Sequence, residues 1–127
     1  MMSQAMEVGR KLVALCKAGK NAEAQETLYS PDIVSVEAIG APGQNRRTEG
    51  KRAIRAKSDW WMSNHEIHRA EVAGPWPHDD RFIVRFTYDI TPKTGPMAGK
   101  RFTMEEAGLY TVKDGLVVME EFFYSMG

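Results

Sequence analysis

Ala5, Val8, Leu12 and Leu15 recur at the three-to-four spacing of a helix face, and Val13 and Cys16 widen that apolar stripe. Ser3 stands before the run as an N-cap, and Gly19 follows the cationic Lys17 as its stop. Asn21 can cap a short second helix over 22–29. That helix must end near Ser30-Pro31, because the residue before a proline avoids helical angles. Ile33 to Ile39 is rich in β-branched residues and reads as a strand, whereas the Gly, Pro, Gln and Asn of Gly40 to Gly50 make a loop. A third helix is expected from Lys51 to Asn64, with Ile54 and Trp61 on its buried side.

From Glu66 onward the pattern is extended. Residues 66–73 read as a strand, and Gly74-Pro75-Trp76-Pro77-His78-Asp79 as a turn. Arg81 to Ile90 alternates, with Phe82, Val84, Phe86 and Tyr88 on one face and Ile83, Arg85, Thr87 and Asp89 on the other. A Pro/Gly loop covers 92–99, and two further strands, 100–112 and 116–124, flank the hairpin signal Asp114-Gly115. Helices first and a meandering antiparallel sheet afterwards predict a single α+β domain over 1–127. The sheet must curl around the helices, since the first helix's stripe and Trp61 have nowhere else to bury.

With Asp114 and Gly115 as the two turn residues, uniform pairing sets Glu105 opposite Tyr124, Ala107 opposite Phe122 and Leu109 opposite Glu120. Glu106, Gly108, Tyr110, Glu121 and Phe123 then share the other face. Both faces mix large apolar groups with carboxylates, so both are expected to be covered, one by the helices and one by a second subunit.

Seventeen basic and seventeen acidic residues cancel, but residues 1–64 carry a net +3 and residues 65–127 a net −3. The basic cluster Arg46, Arg47, Lys51, Arg52, Arg55 and Lys57 has no interleaved aromatic residue to stack on bases, which favours a solvated helix face and no nucleic-acid partner. No apolar run reaches the ~20 residues of a membrane span, no signal sequence opens the chain, and the single Cys16 gives no internal disulfide. A cytoplasmic protein with no membrane partner is therefore expected.

The stretches LVALCKAGKNAEAQETLYSPDIVSVE, TEGKRAIRAKSDWW and AGLYTVKDGLVVMEEFFY resemble the nuclear transport factor 2-like superfamily, in its SnoaL-like and ketosteroid-isomerase-like branch. The resemblance implies a cystatin-like α+β barrel: a cone in which a strongly curved antiparallel sheet wraps three helices, with a pocket at the wide end and a homodimer through the outer sheet face. It also places the Glu105, Ala107, Leu109, Glu120, Phe122 and Tyr124 face inside the pocket. The phenol, base and protonated acid of ketosteroid isomerases fall on Leu12, Ala38 and Ala107, so that reaction is not expected. The last-strand aspartate of the limonene-epoxide-hydrolase pattern falls on Phe122, which excludes that one too.

Glu105, Glu120 and Tyr124 remain as candidate catalytic groups, with Trp61, His68, Phe82, Phe86, Ala107, Leu109 and Phe122 as candidate substrate-binding walls. A carboxyl among apolar side chains has a raised pKa and can exchange protons near neutral pH, although structural networks perturb acids as well. Glu106 and Glu121 read as salt-bridge partners of Arg81, Arg85 or Arg101. His65 is expected to cap the third helix. His65-Glu66-Ile67-His68 lacks the spacing of a zinc site, so neither metal nor cofactor is expected. The expected function is binding of an apolar small molecule, with acid–base catalysis of the isomerase, cyclase or dehydratase type; the alternative is a non-catalytic ligand-binding or dimeric scaffold domain.

Overall fold

The computed structural model describes residues 3–40 and 45–125. Three helices, α1 (Gln4–Lys17), α2 (Asn21–Leu28) and α3 (Lys51–Asn64), accompany six strands among these residues. The strands are β1 (Tyr29–Val36), β2 (Arg47–Glu49), β3 (His65–His78), β4 (Arg81–Pro92), β5 (Phe102–Lys113) and β6 (Leu116–Phe123). They form one sheet in the order β2-β1-β6-β5-β4-β3. The α+β architecture and the helix-first order are as the sequence predicts.

α1 starts where Ser3 accepts a hydrogen bond from the Met6 amide at 3.1 Å. It ends where Gly19 takes φ 74° and the Lys20 amide reaches back to the Leu15 carbonyl at 2.8 Å, a Schellman-type closure. Its stripe of Ala5, Val8, Leu12 and Val13 is buried against β3, β4 and β5. α3 buries Ile54 and touches β1 and β2 at one end of the sheet order and β3 at the other. A flat sheet could not present both ends to one helix, so the sheet curls around the helices while leaving β2 and β3 as open edges.

Several expectations need correction. The sheet is mixed rather than wholly antiparallel: β1 runs parallel to β6, with Ser35 opposite Glu120. β1 begins at Tyr29, four residues before the expected start, because the chain leaves α2 straight into the sheet. β2 lies within the stretch read as a loop, of which 41–44 fall outside the described residues. β3 continues through Gly74-Pro75-Trp76-Pro77 to His78, where a turn was expected. It is an edge strand, so prolines there remove no ladder bond, and a pairing irregularity between Ala73 and Trp76 accommodates them.

The correction with most consequence lies in the last hairpin. Asp114 (φ 53°) and Gly115 (φ 79°) form the expected two-residue turn, and Lys113 faces Leu116 as predicted. However, Val112 pairs with Val117 while Thr111 pairs with Met119, which leaves Val118 as an extra, bulged residue. Beyond it Tyr110 faces Glu120, Gly108 faces Phe122 and Ala107 faces Phe123. The interior face of β5 is therefore Glu106, Gly108 and Tyr110, while Glu105, Ala107 and Leu109 turn outward.

Gly108 is needed on that interior face. A Cβ there would lie 2.8 Å from the Tyr110 ring and 3.2 Å from the Phe122 ring, and Tyr110 cannot retreat because it stacks on Phe82 at 5.0 Å. Gly108→Ala is expected to destabilise the fold by roughly 1–3 kcal/mol, as overpacking does. Urea unfolding of the variant against the wild type measures it, and an unchanged midpoint would contradict the packing described.

Candidate functional site

Three elements, β1, β6 and α3, converge on a largely buried polar cluster. Burial makes each polar group there depend on a partner inside the protein. Glu120 of β6 is buried between Tyr29 and Ser35 of β1; the Tyr29 hydroxyl donates to its Oε2, and the Ser35 hydroxyl also bonds to it. Lys57 of α3 donates from Nζ to Ser35 Oγ at 3.2 Å and to Glu37 Oε1 at 2.9 Å. The Tyr124 hydroxyl donates to the other oxygen of Glu37 at 3.1 Å. A continuous chain thus runs Tyr124–Glu37–Lys57–Ser35–Glu120–Tyr29.

Beside this chain lies a cavity of about 70 Å³, walled by Leu12 and Cys16 of α1, Asn21 and Gln25 of α2, and by Tyr29, Phe86, Tyr88, Glu106, Tyr110 and Phe122. Burial lifts the Glu106 carboxyl to about 7, helped by the negative charges of Glu37 and Glu120 and opposed by Lys57. Burial likewise raises Glu120, against the pull of the Tyr29 and Ser35 hydrogen bonds and of Lys57. Tyr29 and Tyr110 are raised well above the usual phenol range, chiefly by burial, so both stay neutral donors. Burial pushes the Cys16 thiol up to about 11, which keeps it from being a nucleophile at neutral pH. Glu106 accepts no hydrogen bond from the described side chains, and Gln25 Oε1 is buried without a partner.

The sequence-predicted residues divide. Phe86 and Phe122 are cavity walls, Glu120 sits in the polar chain behind Tyr29, and Tyr124 joins that chain through Glu37 rather than through Glu105. Glu105, Ala107 and Leu109 are corrected to the outer face, where Glu105 pairs with Arg85. Glu106, expected in an outer salt bridge, is interior instead, and Arg101 binds Asp89 in a bidentate pair at 2.9 and 2.8 Å. Phe82 is core behind Tyr110, and Trp61 stands a layer back, stacked on His65 at 4.5 Å and tilted against Tyr88 at 5.3 Å. His68 is not a cavity wall: it sits at an irregularity of β3, with Nε2 2.7 Å from Thr91 Oγ1. His65 Nδ1 meets the Trp61 carbonyl at 2.8 Å, the expected cap on the end of α3.

Sequence reasoning missed Tyr29, Ser35, Glu37, Lys57, Tyr88, Glu106 and Tyr110 as site residues. The signal for Glu106 and Tyr110 was Gly108, whose missing side chain marks a strand face pressed against something large. A larger depression of about 510 Å³, bordered by Lys17, Glu71, Arg85 and Glu105, lies away from the buried acids. It is open, and its Arg85–Glu105 charges already satisfy each other, so the smaller cavity is the candidate site. Among the described residues no three His, Cys, Asp or Glu side chains are placed to hold a metal ion, and no helix is long and apolar enough to cross a membrane.

A family model described as SnoaL-like domain matches residues 2–124. A solved structure from Mesorhizobium loti, named as a SnoaL-like polyketide cyclase [carbohydrate phosphatase], is 44% identical with TM-score 0.87, covering 97% of this chain and 100% of that one. A nuclear transport factor 2-like protein from Burkholderia pseudomallei is 16% identical with TM-score 0.74, covering 98% and 92%. A protein of cystatin-like fold from Xanthomonas campestris is 15% identical with TM-score 0.74 at the same coverage of 98% and 92%. These two show the fold alone. Among curated proteins none matches.

The raised Glu106 fixes a pH dependence. Its carboxyl moves from 4.5 to about 7 on folding, so between those values the folded chain holds a proton that the unfolded chain has released. Stability therefore falls as pH rises through that window, by up to about 3 kcal/mol. Glu106→Gln is expected to flatten this part of the profile in thermal melts at pH 4.5 to 8, and a parallel decline in the variant would refute the assignment.

Proposed function

The chain belongs to the SnoaL-like domain family, and we propose that it performs acid–base chemistry of the isomerase or cyclase type on a small molecule held in the interior cavity. The observation carrying this reading is the Glu106 carboxyl: half-buried, without a hydrogen-bond donor among the described side chains, bordering a cavity and shifted up to about 7 by desolvation. A group so placed removes a proton from a carbon next to a carbonyl and returns it elsewhere. Tyr88 and Tyr110, held neutral, line the same cavity and supply donors for the enolate oxygen. Glu120, fully engaged by Tyr29 and Ser35, acts as a positioning group whose charge raises Glu106. The roles expected at Glu105 and Tyr124 pass to Glu106 and Tyr110 in this reading.

Deuterium uptake at the α-carbons of 2-butanone in D2O, followed by proton NMR, tests it. Exchange above the buffer rate is expected, rising as pH passes through 7, and Glu106→Gln should slow it about 100-fold or more. No exchange above background would reject catalysis. Ketone-induced shifts without exchange would instead support the second reading, a non-catalytic ligand-binding domain, which the small cavity volume favours.

We also propose a homodimer through the outer sheet face. Trp76 lies opposite Ile83, and Ile83 opposite Leu109, with Phe123 on the neighbouring strand; Trp76, Ile83 and Phe123 are more than two-fifths exposed. Such a row of large apolar groups on one sheet face is suited to a copy of itself. Sedimentation should give about 28 kDa for the wild type, twice the 14.3 kDa chain, and a monomer for Ile83→Lys. A monomeric wild type would remove this proposal.

A further inference from the structure

We infer that the interior cavity takes a small protonated alkylamine group, with its N–H directed to Gln25 Oε1 and its charge beside Glu106. The inference shares its cavity with the proton-transfer reading but requires no turnover. Its starting point is that two acceptors, Gln25 Oε1 and the Glu106 carboxyl, border the cavity without a hydrogen bond, beside the hydroxyls of Tyr88 and Tyr110. Gln25 Oε1 is buried and bare, and the Glu106 carboxyl receives no hydrogen bond from the described residues. A buried acceptor without a donor is unfavourable, and a ligand N–H directed to Gln25 Oε1 would satisfy it.

Charge count points the same way. Glu37, Glu106 and Glu120 interact with one another and with a single cation, Lys57. Lys57 is already committed to Ser35 and Glu37, and no lysine or arginine lines the cavity. When Glu106 ionises, no cation on its side of the cavity balances it. The walls suit an alkylated cation: Phe86, Tyr88, Tyr110 and Phe122 offer rings whose faces are electron-rich and whose surfaces are apolar. A space of about 70 Å³ admits a head of only a few heavy atoms. An anion would meet the carboxyls, and a neutral ligand would leave Glu106 uncompensated.

The affinity must depend on pH. The titratable groups around Glu106 are Cys16 on α1, Glu37 just beyond β1, Lys57 on α3, Tyr88 on β4, Tyr110 on β5, Glu120 on β6 and Tyr124 after it. Burial keeps the thiol and the phenols neutral through pH 8. Ionisation of the interior carboxyls, Glu106 foremost, then sets the change between pH 6 and 8.

The test titrates isobutylammonium and its neutral isostere isobutanol into the intact protein, read by chemical shifts of the aromatic rings. At pH 8 the amine is expected to bind about tenfold or more tighter than the alcohol, one charge pair in a desolvated site. The preference should shrink at pH 5.5, vanish in Glu106→Gln, and weaken severalfold in Gln25→Met, which keeps the side-chain volume. Equal binding of the alcohol, a preference that survives Glu106→Gln, or ring shifts absent at millimolar amine would each overturn it. Gln25→Met serves if Glu106→Gln fails to fold. Deuterium exchange and amine binding are separate readouts, so either proposal can fail while the other stands.

Discussion

One surplus residue in β6 governs which side chains meet in the interior. Side chains alternate strictly along a strand, so a bulge at Val118 moves every later β6 position by one step against β5. Without it, Glu120 would sit opposite Leu109 and share the outer face with Glu105, since the register with β4 already turns Glu106, Gly108 and Tyr110 inward. With it, Glu106, Gly108 and Tyr110 share a face with Glu120 and Phe122, and the carboxyl of Glu105 goes out to meet Arg85. The bulge also explains how one hairpin can place two acids inside while keeping apolar Val112 and Val117 buried next to the turn.

Once inside, the two acids differ in what surrounds them. Glu120 lies across from Ser35 in the parallel β1–β6 pairing, and Tyr29 begins the same β1 strand. Its oxygens are engaged on both sides, which is the ordinary condition for a buried polar group. Glu106 has burial without such donors, and its neighbours Glu37 and Glu120 push against its ionisation. Similar side chains on adjacent strands thus differ in how tightly their protons are held, through burial, neighbouring charge and hydrogen bonding together.

The sequence makes the frame legible and hides the site. α1, α3, β4 and the Asp114-Gly115 turn all rest on local signals: an N-cap at Ser3, a stop at Gly19, strict alternation from Arg81, and a turn pair that takes positive φ. The inward placement of Phe86 follows from those signals, and that of Glu120 and Phe122 from the family resemblance. The outward turn of Glu105, Ala107 and Leu109 does not, because nothing in Leu116-Val117-Val118-Met119 distinguishes a bulged valine from a regular one. Tyr29 and Ser35 were equally hidden. Their meeting with Glu120 depends on a parallel pairing between chain segments some ninety residues apart, which no local pattern encodes. Lys57 looked like one more cation of a solvated cluster; α3 turns it inward to Glu37 and Ser35.

The same geometry separates this interior from that of the ketosteroid isomerases it resembles. The places of their phenol, base and protonated acid hold Leu12, Ala38 and Ala107 here, of which Leu12 is a cavity wall and Ala107 faces outward. Polar groups have instead gathered along β1, β5 and β6, one register step away from where the family pattern would place an acid. The constraint that persists is physical rather than positional. A carboxyl that exchanges a proton near neutrality has to be shielded in part from water and still border open space, and Glu106 is half-buried at the edge of the cavity.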